Sequence, residues 1–151
     1  MDNLMYLKSG TDIRGTAIEK DGKGIDLTDS RLMSITASFV AFLKKKLNKN
    51  SLTVTVGFDS RVSSEHISRT VTRTLASLGV KVYDCGLSST PSMFMSIINF
   101  GVDAAIEITA SHLPMEMNGL KFFTKEGGFS GNDIKEILLF AEQIKIFLRS
   151  N

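Results

Sequence analysis

Apolar residues recur along this chain with two periods, and the alternation between them lays out the fold. Leu32, Ile35, Phe39, Leu43 and Leu47 return every three or four positions, the spacing of one helical face, and Thr28 is placed to cap that helix. The same spacing predicts a second helix capped by Ser63 or Ser64, with Ile67, Val71, Leu75 and Leu78 inward and Gly79 as its stop. A third starts at Thr90-Pro91, with proline at the first helical position, Met93, Phe94, Ile97 and Ile98 inward, and Gly101 at its end. A fourth is capped by Asn132 or Asp133 and turns Ile134, Ile137, Leu138, Ala141, Ile144 and Phe147 or Leu148 inward. Between the helices, residues 52–57 and 102–108 are short β-branched or small apolar runs that read as buried strands, and residues 80–84 read as a further strand. Strands alternating with helices of this length predict a three-layer α/β/α sandwich with a mixed, mainly parallel sheet. Residues 120–124 form the exception: this strand follows its predecessor after a short loop, with Asn118-Gly119 read as the turn, so it should run antiparallel.

In such sheets ligands gather outside the carboxyl ends of the parallel strands, where the loops at residues 59–61, 88–90 and 109–114 emerge. The last of these concentrates chemistry. After the strand to Ile108 the chain turns polar at Thr109, Ala110, Ser111 and His112, and Pro114 keeps the preceding residue out of helical geometry. Ser111 and His112 therefore belong on an exposed loop, toward which the returning strand carries Lys121. Upstream, residues 9–17 form a glycine-punctuated polar loop holding Thr11, Asp12 and Arg14, and Arg14 between flexible points can lean over a shared anionic site.

Composition narrows the function. The chain has 151 residues, 42% hydrophobic and 23% charged, as in an ordinary globular domain. A net charge of +2 does not imply nucleic acid, and the basic run Lys44, Lys45, Lys46 falls at a helix end, where cations suit the dipole. The single cysteine, Cys85, excludes a disulfide framework and is expected to pack beside a strand end. No long uncharged run follows the first residues, so the expectation is a cytoplasmic protein without a membrane partner. The methionines are read as packing, and His66 as structural or solvated.

A serine is a weak nucleophile unless a base, a metal or a reactive phosphoryl group drives it. A hydrolase triad fits poorly: His112 adjoins Ser111, where neighbouring side chains on an extended segment point apart, and no glycine-flanked nucleophile elbow surrounds Ser111. A phosphorylated Ser111 fits better, since its negative group would attract Lys121, Arg14 and His112, and phosphoryl transfer asks mainly for positioning and charge neutralisation. Asp103, Glu107 and Glu116 flank the loop, but their spacing is not that of a magnesium site. A polar Ser-His-Pro loop without catalytic use is the plain alternative.

The motif TASHLP at residues 109–114 resembles the phosphoserine loop of the α-D-phosphohexomutases, the phosphoglucomutase and phosphomannomutase family, usually written T-A-S-H-N-P. SGTDIRG at residues 9–15 is similar to that family's amino-terminal arginine loop, and VGFDSR at residues 56–61 to its V-G-R-D-S-R segment. Thr90-Pro91 and residues 118–121 also correspond, so the resemblance runs through the chain in order. It implies domain I of a mutase interconverting hexose 1-phosphate and hexose 6-phosphate. Ser111 would carry the phosphoryl group and, through it, contribute an oxygen ligand to Mg²⁺. Arg14, Lys121 and His112 would act beside it, with Lys121 the general acid/base. Thr11, Arg14 and Lys121 would bind substrate phosphate, and a hexose 1,6-bisphosphate would activate the enzyme.

Two residues depart from the pattern: Leu113 stands where asparagine is usual, and Phe58 where arginine is usual. The resemblance also implies three further domains, carrying the aspartate-rich metal loop, the sugar-specificity loop and a phosphate-binding module. The expectation is an amino-terminal catalytic-serine domain of a longer enzyme, nearly inactive alone, whose partners are its remaining domains and a hexose phosphate. The alternative is a stand-alone, non-catalytic module that binds a sugar phosphate or a protein, using Leu113, Met115 and Met117 as an apolar rim. Sugar specificity and oligomeric state stay open.

Overall fold

The computed structural model describes residues 3–150, with side chains through residue 144. A short 3-10 turn, Met5–Leu7, leads into β1 (Lys8–Ser9) and β2 (Asp12–Thr16), an antiparallel hairpin turning at Gly10-Thr11. Then come α1 (Asp29–Leu47), β3 (Thr53–Phe58), α2 (Ser64–Ser77), β4 (Lys81–Leu87) and α3 (Thr90–Phe100). The chain closes with β5 (Ala104–Ile108), β6 (Met117–Thr124), β7 (Gly127–Gly128) and α4 (Gly131–Ser150).

One sheet runs in the order β1-β2-β6-β5-β3-β4, with β7 paired to β6. The sandwich and its mixed sheet are as expected, and β6 is antiparallel to β5. Parallel pairing is confined to β3–β4 and β3–β5, however, and the other described pairings are antiparallel. The sheet is thus less parallel than its helices suggested, because two hairpin-like connections, β1–β2 and β5–β6, need no crossover helix. The supposed loop around Arg14 is itself strand. Ile13 is fully buried in the core, which places the alternating Asp12 and Arg14 on the opposite face.

The larger core lies between the sheet and α1, α2 and α4, where Phe39 stacks on Phe122 at 4.8 Å. The helical period was a sound guide here: Leu32, Ile35, Phe39 and Leu43 are completely buried, and Thr28 Oγ1 accepts the Arg31 N–H at 3.3 Å. In α4, Ile134, Ile137, Leu138 and Ala141 are buried to the same degree; the Phe147 and Leu148 side chains lie outside the described residues. On the other face α3 stands alone, packing its Met93 and Ile97 with Val102, Ala105 and Phe123. A single covering helix touches the sheet along a narrow stripe, which is why Ile98 is 63% exposed instead of inward. Leu78, at the last turn of α2, is exposed for want of a facing element.

Three local expectations are corrected. Neither Ser63 nor Ser64 caps α2: Ser63 already has helical φ and ψ, and both hydroxyls accept from Asn118 Nδ2, at 2.8 and 2.9 Å. The α4 start is held by Ser130, whose Oγ accepts the Asp133 N–H while Asp133 Oδ2 accepts the Ser130 N–H, a reciprocal capping box. Asn118-Gly119 is no turn but the buried beginning of β6, paired with Gly15 and Arg14. The turn falls earlier, where the Leu113 N–H reaches Ala110 O and the Met117 N–H reaches Pro114 O. Gly119 is required by approach: a Cβ there would collide with Ile13 O and lie 3.0 Å from Thr109 O.

Candidate active site

Ser111 sits just beyond the carboxyl end of β5, exposed and at φ 54°, a left-handed conformation that costs a non-glycine residue about 1–2 kcal/mol. Three contacts hold it there. Its N–H donates to Thr109 Oγ1 at 3.1 Å, its carbonyl accepts from Arg61 Nη2 at 2.8 Å, and its Oγ accepts from Arg14 Nη2 at 3.2 Å. Strain at one exposed, charge-assisted hydroxyl is what a group-transfer site needs, since the geometry is fixed before the ligand arrives.

Arg14 reaches the serine from β2, three positions past the hairpin tip. Its Nη2 also pairs with Asp12 Oδ2 at 3.0 Å, and Asp12 Oδ1 takes Lys121 Nζ at 3.3 Å. Lys121 therefore joins the site through Asp12, not by touching Ser111. Arg14 Nε is buried with no acceptor, so the guanidinium carries one unmatched donor. An unpaired buried donor is costly, and a phosphoryl oxygen is the acceptor it matches best. Thr11 is exposed at the hairpin tip, and His112 is exposed beside the serine; no described hydrogen bond or ion pair involves either. The structure thus joins Ser111, Arg14 and Lys121 in one polar chain and leaves His112 and Thr11 at its edge.

The residue that shapes the loop is Arg61. Its guanidinium donates to four carbonyls of the serine loop: Ser111 at 2.8 Å, Leu113 at 2.7 Å, Pro114 at 2.7 Å and Met117 at 3.1 Å. Asp59 Oδ2 backs it at 3.4 Å from Nε, and Asp59 Oδ1 accepts from Ser64 Oγ at 2.6 Å. Sequence reasoning placed the loop at residues 59–61 on the correct edge but did not see this clamp. The signal available was an arginine two residues from an aspartate at a strand end; its carbonyl partners are not written in residue types. Arg61 takes the Leu113 carbonyl, so this part of the clamp does not depend on whether leucine or asparagine stands there. Phe58 simply packs its ring against the main core.

Asp59, Ser60, Arg61, Val62, Ser111, Leu113 and Met115 line an open cleft of about 390 Å³. A larger hollow of about 620 Å³, lined by Lys46, Lys49 and Asp103, lies where β3 and β5 begin, at the opposite end of the sheet, and its Lys49 is locked to Asp103 at 2.6 Å. The loop at residues 88–90 is spent on structure: Ser89 Oγ caps α3 and Ser88 Oγ bonds Cys85 O. Cys85 lies within β4, half-buried, and His66 pairs with Asp29 at 2.8 Å across the surface between α2 and α1.

The residues around Ser111 do not by themselves fit a magnesium ion. Its charged neighbour is a guanidinium, the carboxylates of Asp12 and Asp59 are engaged with cations, and no described group of three or more His, Cys, Asp or Glu is placed to hold a metal. Among the described residues no helix is long and apolar enough to cross a membrane.

The site is thus an exposed serine just beyond the end of a parallel strand, tied to a strand arginine, in a domain of the mixed α/β/α sandwich class. The model of the phosphoglucomutase/phosphomannomutase α/β/α domain I matches residues 7–145, and the chain belongs to that family. It is 36% identical over 135 residues to a phosphomannomutase of Vibrio cholerae, covering 87% of this chain and 27% of the relative. To a phosphoglucosamine mutase of Corynebacterium jeikeium it is 35% identical over 130 residues, covering 84% and 28%. The chain spans little more than a quarter of the length of these curated relatives. A crystal structure of a phosphoglucomutase/phosphomannomutase family protein from Burkholderia thailandensis superposes with a TM-score of 0.74 at 23% identity, covering 96% of this chain and 31% of that one, which shows the fold.

Proposed function

We propose that this chain supplies the phosphoryl-carrying serine, Ser111, to a phosphohexomutase that moves a phosphoryl group between the 1- and 6-hydroxyls of a hexose phosphate. The observation that supports it is the pairing of Ser111 Oγ with Arg14 Nη2 at 3.2 Å, beside a buried Arg14 Nε that lacks an acceptor. In the loading step, Ser111 Oγ bonds to a phosphorus of a hexose 1,6-bisphosphate and the bond from that phosphorus to the sugar oxygen breaks. The serine proton ends on the sugar oxygen. In turnover the loaded serine gives its phosphoryl group to the one free hydroxyl of a hexose 1-phosphate, forming the bisphosphate, and the phosphate at the other carbon then passes to Ser111 and leaves hexose 6-phosphate. Charge spreads over the phosphoryl oxygens during transfer, and Arg14 is placed to neutralise it.

Lys121 is the proposed acid/base group, and to move a proton it must part from Asp12. Thr11, exposed at the β1–β2 hairpin tip, and His112, exposed next to Ser111 in the chain, are proposed to meet the incoming sugar phosphate. A magnesium ion touching the phosphoserine would take its carboxylate ligands from beyond these residues. Relatives named as mutases disfavour a purely non-catalytic module.

The test is intact-mass spectrometry with site mapping after incubation with glucose 1,6-bisphosphate and Mg²⁺, on the chain alone and with the other domains of a relative supplied. The expected result is one added phosphoryl group at Ser111, lost in Ser111→Ala. No addition in either setting overturns the reading.

A further inference from the structure

Asp12 opens β2 with only 6% of its surface exposed, and its carboxylate is used differently from the others of the chain. Asp26, Asp59, Asp84, Asp103 and Asp133 each accept a backbone N–H, of Thr16, Arg61, Gly86, Thr53 and Ser130 in turn, and so hold turns and strand ends. The described hydrogen bonds of Asp12 go to side-chain cations alone: Oδ2 accepts from Arg14 Nη2 at 3.0 Å and Oδ1 from Lys121 Nζ at 3.3 Å. The same Arg14 Nη2 donates to Ser111 Oγ at 3.2 Å. One carboxylate is therefore shared between the two cations of the serine site. The strand register sets this up. Lys121 lies one step beyond the Ile13–Leu120 pair, in a row with Asp12 on one side and Glu107 of β5 on the other. Glu107 is 1% exposed, its Oε2 has no hydrogen-bond partner, and burial first and the Asp59 charge second push its carboxyl up to about 8. At neutral pH the charge that balances Lys121 thus comes from Asp12.

We propose that Asp12 is a positioning residue that stands in for the phosphoryl group while Ser111 is unloaded: it holds Arg14 and Lys121 together beside the serine and releases them when an anion arrives there. The inference rests on the reading of Ser111 as phosphoryl carrier and adds how its cations are kept in place between transfers. Two like charges held this near each other repel, and without a counter-charge both side chains would spread into solvent. A phosphoserine carries about −1.5 to −2 charges near neutral pH, so both cations gain more from it than from a single carboxylate. Once they turn to it, Asp12 is left as a buried carboxylate short of partners, which opposes tight retention of the phosphoryl group. The loaded serine is thereby kept out of a well too deep to leave, as onward transfer requires.

Titration with inorganic phosphate at neutral pH tests this on the unaltered chain, Asp12→Asn and Asp12→Glu, with binding read from the NMR signals of the Ser111 amide and Arg14 Nε–H. A carboxylate in the anion's place must be displaced, so Asp12→Asn is expected to bind phosphate at least several-fold more tightly than the unaltered chain, with the gain shrinking at high salt. Asp12→Glu keeps the charge and should bind as weakly as the unaltered chain. A merely structural role predicts the opposite sign, since disordering Arg14 and Lys121 weakens binding. Equal or weaker binding in Asp12→Asn overturns the proposal, as does the absence of phosphate-dependent shifts at both signals in every form. Should the variants not fold, the Asp12 carboxyl carbon in the unaltered chain decides: a shift that tracks Arg14 Nε–H through the titration supports the proposal, and an Asp12 signal that stays still while Nε–H moves overturns it. Phosphate binding asks nothing of transfer chemistry and Ser111 phosphorylation is scored separately, so tightening without phosphorylation sinks the mutase reading alone.

Discussion

Gly119 shows how little room the site leaves at a single residue. A methyl group there meets Ile13 O from the neighbouring strand and lies 3.0 Å from Arg14 Cγ, so neither backbone nor arginine can stay in place. Gly119→Ala is therefore expected to lower the unfolding free energy by about 1–3 kcal/mol in urea titrations. It should also weaken phosphoryl uptake at Ser111, because Arg14 shifts with β2; unchanged stability and uptake would contradict this geometry. At this scale the sequence was legible where residue type carries the chemistry. Ser111 and Arg14 were named from their side chains, and they touch. Lys121 was named for its charge, yet its partner is Asp12, since a lysine on a strand takes whatever carboxylate its register offers. Glu107 was weighed only as a metal ligand; what makes it unusual is its burial, and burial cannot be read from one letter.

Among elements, the serine loop is held by one side chain of another loop. Arg61→Ala removes four donations to carbonyls of the turn, some of them open to water. Global stability should fall by only about 1–2 kcal/mol, while amide protection at residues 111–117 and phosphoryl uptake fall much further; equal losses everywhere would show that Arg61 merely stabilises the fold. Helices were legible because their apolar period runs unbroken for several turns, as in α1. The β1–β2 hairpin was not, since Gly10, Gly15 and the charges of Asp12 and Arg14 interrupt the strand pattern in order to build the site. Asn118-Gly119 misled for a related reason. The pair is a common turn signal, but here the glycine answers a steric demand and the asparagine pins α2 through Ser63 and Ser64.

For the whole molecule, Glu107 makes stability depend on pH. Its proton is held up to about pH 8 in the folded chain, against an ordinary value of 4.5. Between those values the folded state binds more protons than the unfolded state at this position, so its contribution to stability falls as pH rises and is fully lost above about 8. The unfolding free energy from urea titrations should decline from pH 6 to 9, by an amount on the order of a few kcal/mol at most, and Glu107→Gln should flatten the decline. A midpoint rising over that range in the unaltered chain would count against it.

The strand order also has a consequence in time. β2 emerges early in synthesis, yet its inner neighbour is β6; Arg14 and Ser111 are separated by 97 positions, and Asp12 and Lys121 by 109. Contacts so distant along the chain form slowly, because a long loop must close before they repay it. Until β6 leaves the ribosome, the hairpin presents an unpaired backbone edge, the kind of surface that invites misassociation or a chaperone's hold. Arg14 can be held beside Ser111 in this way only once β6 has paired with β2, so the site takes shape as the sheet closes.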